Sequence, residues 1–193
     1  MREIVFATNN ANKLRELREI TSDSDIKILS LADIYCHEDI PETADTIEGN
    51  AIIKAKHVKE KYGYDCFADD TGLEIEALNG EPGVYSARYA GEDCNSERNI
   101  DKVLKGLENA SNRSARFRTA IALCQGDDVK IFEGEVRGSI LTERHGTGGF
   151  GYDSIFKPDE ADCSFAQMSA VQKNSISHRG RAVVALMKYL LHD

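Results

Sequence analysis

A short apolar run, Cys66-Phe67-Ala68, is stopped by two adjacent carboxylates, a hydroxyl and a glycine, Asp69-Asp70-Thr71-Gly72, before apolar sequence resumes at Leu73. No other stretch limits the possible folds as much. An apolar run ending in acids reads as a strand whose C-terminal end presents anions to a crevice, where α/β sheets bind ligands. Acids in such a place either hold a hard cation such as Mg²⁺ or act as a general base. Asp, Thr and Gly are also common turn formers, and taken alone the four residues read as a solvated turn. On that pattern two strands are expected, Cys66 to Ala68 and Leu73 to Ala77, separated by the acidic turn.

The rest of the chain supplies the layers. Ile4 to Ala7 reads as a buried strand, and Thr8-Asn9-Asn10 offers cap groups for a helix carrying Leu14, Leu17 and Ile20 inward. Lys13, Arg15, Glu16, Arg18 and Glu19 would then face solvent. Asp25 to Leu29 reads as the next strand and the acidic stretch Ala32 to Asp45 as a loop. Thr46 to Tyr62 has Ile47, Ala51, Ala55 and Val58 at helical spacing. A helix is expected from Ser96 to Lys105, capped by Ser96. Arg116 to Leu123 and Val129 to Ile140 read as long strands joined by Gln125-Gly126-Asp127-Asp128, which is good hairpin chemistry. A short strand is expected around Ser154 to Phe156. The last element reads as a helix from Ser177 to Leu191 with Ala182, Ala185, Leu186 and Tyr189 on its apolar face. The order βαβ…αββ, then strand and helix, predicts a mixed α/β sheet.

A net charge of −9 excludes a basic footprint for a nucleic-acid backbone. Cys36, Cys66, Cys94, Cys124 and Cys163 lie far apart, without zinc spacing, and their odd count predicts reduced thiols. The start Met-Arg-Glu-Ile-Val-Phe lacks a signal-peptide pattern and no apolar run reaches membrane-spanning length, so a cytoplasmic protein with no membrane partner is expected.

Three further segments carry chemistry. Gly146-Thr147-Gly148-Gly149-Phe150-Gly151 matches G-x-G-x-x-G, but a strand-like Tyr152-Asp153-Ser154-Ile155-Phe156 follows where a dinucleotide fold needs a helix. The loop instead offers Phe150 for stacking on a flat ring, or tucks it into the core. Lys13 falls in the first turn of a helix, where free N–H groups already favour an anion. Lys54 lies on the second helix. Lys173-Asn174-Ser175-Ile176-Ser177-His178-Arg179-Gly180 gathers varied donors at a helix start.

Together, Thr8-Asn9-Asn10-Ala11-Asn12-Lys13, Asn50-Ala51-Ile52-Ile53-Lys54-Ala55 and Ala68 to Leu73 resemble the signatures of the inosine/xanthosine triphosphate pyrophosphatases, which clean non-canonical purines from the nucleotide pool. Pro82-Gly83-Val84-Tyr85-Ser86-Ala87-Arg88-Tyr89, Gly146 to Asp153 and Ser177 to Gly180 extend the resemblance, in order, from residue 4 to about 190. Two departures stand out: Asn9 or Asn10 replaces a usual Gly, and Gly49 replaces a frequent Glu, leaving Glu42 and Glu48 as candidate acids there.

The resemblance implies one domain over 1–193: an elongated mixed sheet flanked by helices, in two lobes with the active site in the cleft, assembled as a homodimer. It implies hydrolysis of purine nucleoside triphosphates to the monophosphate and pyrophosphate with Mg²⁺, for which Mn²⁺ would substitute. Asp70 would be the general base and a metal ligand, with Asp69 and Glu42 completing the metal site. Substrate would be bound by Thr8, Asn9, Asn10, Ala11, Asn12, Lys13, Lys54, Thr71, Phe150, Gly151, Tyr152, Asp153, Lys173, His178 and Arg179. Of these, Lys13, Lys54 and Lys173 would hold phosphates, Phe150 would stack on the purine, Asp153 would accept from a ring N–H, and His178 and Arg179 would read the 6-oxo group. The alternatives are a septum-inhibitor-like pyrophosphatase acting on modified pyrimidines and a non-catalytic nucleotide sensor.

Overall fold

The computed structural model describes residues 2–192, the last of these without its side chain. In chain order the regular elements are β1 (Arg2–Phe6), α1 (Ala11–Ile20), β2 (Ile26–Leu29), α2 (Ile47–Tyr62), β3 (Cys66–Ile75), β4 (Pro82–Gly83), α3 (Ser96–Gly106), β5 (Ser114–Gln125), β6 (Asp128–Ile140), β7 (Phe156–Pro158), α4 (Ala170–Ile176) and α5 (His178–His192). The strands form one mixed sheet in the order β2-β1-β3-β5-β6-β7, with β4 beside β3. β1 runs parallel to β2 and β3, whereas β3–β4 and β6–β7 are antiparallel. The chain forms two compact units, one comprising residues up to Asp70, Thr119–Gly134 and the segment from Gly180, the other Thr71–Arg118 and Glu135–Arg179.

In the first unit the two faces of the β1–β3 sheet are both apolar, as parallel strands covered on each side require. Phe6 and Phe67 stack at 4.8 Å and pack with Leu17, Ala182, Leu186 and Leu190 from α1 and α5. The alternate residues Val5, Ala7, Cys66 and Ala68 pack against Ala51, Ala55 and Val58 of α2, the spacing expected of that helix. Thr46 caps α2 by accepting from Gly49 N, and Gly63 ends it at φ +77°. Asn10 caps α1 by accepting from Asn12 N and Lys13 N. Glu16, expected in solvent, is instead buried beside Leu17. On α5 the buried face is Ala182, Val183, Leu186 and Leu190, turned slightly from the expected stripe, with Ala185 and Tyr189 at its margin. All five cysteines are free thiols.

The second unit is centred on Leu73, Ile75, Ile100, Val103, Phe117, Val136, Tyr152, Phe156 and Phe165. The opposite face carries charge: Arg116 Nε donates to Glu74 Oε2 at 2.6 Å and Arg118 to Glu74 Oε1 at 3.2 Å. Ser86 fastens the Pro82–Tyr89 segment to β3, accepting from Leu73 N and donating to Gly83 O.

Several boundaries differ from the sequence reading, each for a local reason. The expected acidic turn does not exist: β3 continues through Asp69-Asp70-Thr71-Gly72 as one ten-residue strand. Buried carboxylates are tolerated mid-strand only when each is charge-paired, and both are. Asn95, not Ser96, caps α3 by accepting from Arg98 N. The strand expected at Ser154 is a 3₁₀ turn over Asp153–Ile155, and pairing begins at Phe156. A separate helix, α4, precedes α5; Ser169 and Gln172 form its capping box. The Ala32–Asp45 loop contains one 3₁₀ turn, Ala32–Ile34.

Candidate active site

In the first unit, three charged side chains and one amide converge around Asp69 and Asp70. Lys13 reaches across from the first turns of α1 to donate from Nζ to Asp69 Oδ1 at 3.0 Å. Lys54 Nζ donates to Glu42 Oε1 at 2.6 Å and lies 3.8 Å from Asp70 Oδ1. Asn50, one turn before Lys54 on α2, donates to Asp70 Oδ2 at 3.3 Å. Strand alternation points Asp69 and Asp70 to opposite faces, so α1 supplies the cation for one and α2 for the other.

Burial shapes the electrostatics of this cluster. It raises the Asp70 carboxyl above its usual value; Lys54 and Lys13 oppose the shift, and Glu42 and Asp69 reinforce it. Burial would lower Lys54, but the surrounding Asp70, Glu42 and Asp69 outweigh it and hold the ammonium charged. The site therefore couples a carboxylate pushed toward neutrality with fixed positive charge, an arrangement suited to proton abstraction beside an anion.

The approach loop is built by caps. Thr8 Oγ1 accepts from Asn10 N, Asn9 Nδ2 lies 3.5 Å from Asp39 Oδ1, and Asn12 Oδ1 accepts from Arg15. Ala11 is exposed at the first position of α1. Asn10 Oδ1 takes up the N–H groups of Asn12 and Lys13, so the cap and the Lys13 side chain occur together at the start of α1.

A second cluster forms within the other unit. Asp153 Oδ2 accepts from Phe150 N at 3.0 Å and from Lys173 Nζ at 2.7 Å, and both charged side chains are buried. Lys173 Nζ lies 4.7 Å and the Arg179 guanidinium 5.5 Å from the centre of the half-buried Phe150 ring. Arg179 Nη2 donates to Thr71 Oγ1 at 3.3 Å. The His178 ring stacks on Phe117 at 4.6 Å and 14°. Gly149, at φ +66°, is required here, because a Cβ would overlap Asp153 Oδ2. Gly151 also adopts a positive φ, +59°.

Lys173 is joined to Asp153 and lies over the Phe150 ring. Tyr152 is buried and spends its hydroxyl on Ser86 O at 2.6 Å, and burial pushes its phenol up, so it holds the loop in place. Among the described residues no group of three or more His, Cys, Asp or Glu side chains is arranged as a metal cage; lysines occupy the carboxylates instead. Asn50 is the residue the sequence reading left without a role. Its position four before Lys54, on one helix face, was the available signal.

The match to known proteins covers nearly the whole chain: residues 4–189 fit the Ham1 family profile. The chain belongs to the Ham1 family. It is 58% identical over 188 residues to a dITP/XTP pyrophosphatase of Flavobacterium johnsoniae, covering 97% of both chains. The structure of a HAM1 protein from Coxiella burnetii matches all of both chains at 41% identity with a TM-score of 0.91. The Staphylococcus aureus Ham1 protein matches 99% of both at 41% identity and a TM-score of 0.89. Within this Ham1 chain, position 49 has little room for a larger residue, since a Cβ there would stand 2.6 Å from Ala44 Cβ.

Proposed function

We propose that this Ham1-family chain hydrolyses non-canonical purine nucleoside triphosphates, those of inosine, deoxyinosine and xanthosine, to the monophosphate and pyrophosphate. Relatives named dITP/XTP pyrophosphatase at 42–58% identity across almost the full length support this reading. The observation that carries the chemistry is Asp70: a buried carboxylate with a raised pKa, flanked by Lys54 and Asn50.

In this reading Asp70 takes a proton from a water that attacks the α-phosphorus, and the bond from that phosphorus to the α–β bridging oxygen breaks. Lys13 and Lys54 shift from their carboxylates to the phosphate oxygens, and the freed pyrophosphate leaves with its charge compensated. Glu42 and Asp70, both beside Lys54, would provide an oxygen-only donor pair that fits Mg²⁺ or Mn²⁺, whereas Asp69 faces the other side of β3. Magnesium is commonly held by one or two carboxylates plus substrate phosphates, so a preformed cage is not required. When bound, the ion would neutralise developing charge on the phosphoryl oxygens.

The second cluster is assigned to the base. Phe150 stacks on the purine, and His178 and Arg179 donate to the 6-oxo oxygen; adenine presents an amino group there and leaves those donors unmatched. Lys173, paired to Asp153, belongs to this base-reading group. A homodimer and a cytoplasmic setting remain part of the proposal; among the described residues no helix is long and apolar enough to cross a membrane. The deciding experiment incubates the protein with inosine triphosphate and Mg²⁺ and separates the products. Inosine monophosphate and pyrophosphate in equal amounts are expected, and release of orthophosphate with the diphosphate would overturn α-phosphorus attack.

A further inference from the structure

His178 opens α5, where the helix backbone fixes its Cα but leaves the ring torsion to packing. The packing comes from a buried aromatic cluster. Phe117 of β5 lies face to face with the imidazole, 4.6 Å between centroids at 14°, and Phe165 approaches it at 6.2 Å and 38°. Phe117 is itself held edge-on by Phe156 at 4.7 Å and 61°. Both Phe117 and His178 are almost fully buried.

The ring nitrogens of an imidazole donate and accept only in the plane of the ring. A neighbour that fixes this plane therefore fixes the direction in which His178 can address a ligand. We infer that Phe117 is a positioning residue for base selectivity: its ring sets the plane of His178 through stacking. This rests on the reading of His178 as a group that reads the purine. Phe117 touches no substrate in this scheme. Its contribution is to discrimination between bases and not to phosphate chemistry.

The test compares kcat/KM for inosine and adenosine triphosphates in four variants. Phe117→Leu keeps an apolar side chain but removes the flat face, and the inosine-to-adenosine ratio should fall about three- to tenfold. Phe117→Tyr keeps the face and should keep the ratio. Val103→Ala, in the same core, should lower the melting temperature without moving the ratio. His178→Ala should collapse the ratio. An unchanged ratio in Phe117→Leu beside a collapse in His178→Ala would overturn the positioning role alone. An equal fall in Val103→Ala would reduce Phe117 to a core residue. An unchanged ratio in His178→Ala would remove the base-reading assignment and this inference with it. If Phe117→Leu does not fold, Phe117→Met replaces it, with the same expected fall.

Discussion

Asn50 donates to Asp70 Oδ2 at 3.3 Å while its own Oδ1 accepts from Ala44 N at 2.9 Å. One amide thus fixes the orientation of the Asp70 carboxylate and anchors the segment that carries Glu42. Lys54, one helical turn on, completes the arrangement from the same face of α2. A small polar side chain does here what a charge could not, because a second lysine would lower the Asp70 pKa that burial raises.

Asp70→Asn is expected to cut kcat by about 10²–10⁴-fold, the usual cost of losing a general base. The fold should survive, because Lys54 retains Glu42 and the amide is nearly isosteric. Circular dichroism with a kinetic assay checks both. A variant keeping more than a tenth of wild-type kcat would sink the assignment. In the wild type, activity should fall as acid protonates Asp70, with a midpoint above the ordinary 3.8, since burial raises this group.

Activity is expected to vanish with excess EDTA and to return with Mg²⁺ or Mn²⁺, because the acids near Asp70 offer oxygen ligands alone. Isothermal titration with Mg²⁺ and a non-hydrolysable triphosphate gives a readout independent of turnover: metal should bind far more tightly with the nucleotide than without it. Full turnover in EDTA would refute the requirement.

Helices α1 and α2 were legible because their apolar spacing, caps and Gly63 all agreed, and the β5–β6 hairpin because Gly126 supplies the positive φ its turn needs. The Asp69-Asp70 pair stood out in the sequence, but its place inside a continuous strand did not. Local composition favours a turn, and only the lysines of α1 and α2, 56 and 16 positions away in sequence, make a continuous strand affordable. Helix α4 was hidden for a similar reason: seven residues carry little periodicity, and its signal was the Ser169/Gln172 cap pair. The pairing of Lys173 with Asp153 joins residues 20 apart across a loop, which no local pattern reveals.

Glu38 should govern part of the acid stability. Its carboxylate accepts from Lys61 and Tyr62 and meets His57 Nε2 at 2.8 Å, which lowers its pKa from 4.5 to about 2, with Lys61 contributing most. A lowered carboxylate stabilises the fold above the unfolded value, and that contribution is lost as pH falls from 4.5 toward 2. The melting-temperature gap between wild type and Glu38→Gln should be widest above pH 4.5 and close as pH approaches 2. A gap independent of pH would show that the pair network contributes nothing.

Arg179 decides between two kinds of recognition. Its guanidinium lies over Phe150 and donates to Thr71, within the aromatic cluster and in a different unit from Lys13 and Lys54. If it reads the 6-oxo group, Arg179→Ala should lower kcat/KM for inosine triphosphate far more than for adenosine triphosphate. The ratio should shrink by about 1–3 kcal/mol, one to two powers of ten, the cost of one unmatched donor. If it binds phosphate instead, both substrates should weaken together, since the triphosphate is common to them. Parallel losses would therefore move base selectivity onto Phe150, His178 and the Asp153–Lys173 pair. Because Arg179 is held through Thr71, Thr71→Val should reproduce a smaller version of the same asymmetric loss, whereas a phosphate role would leave that variant symmetric.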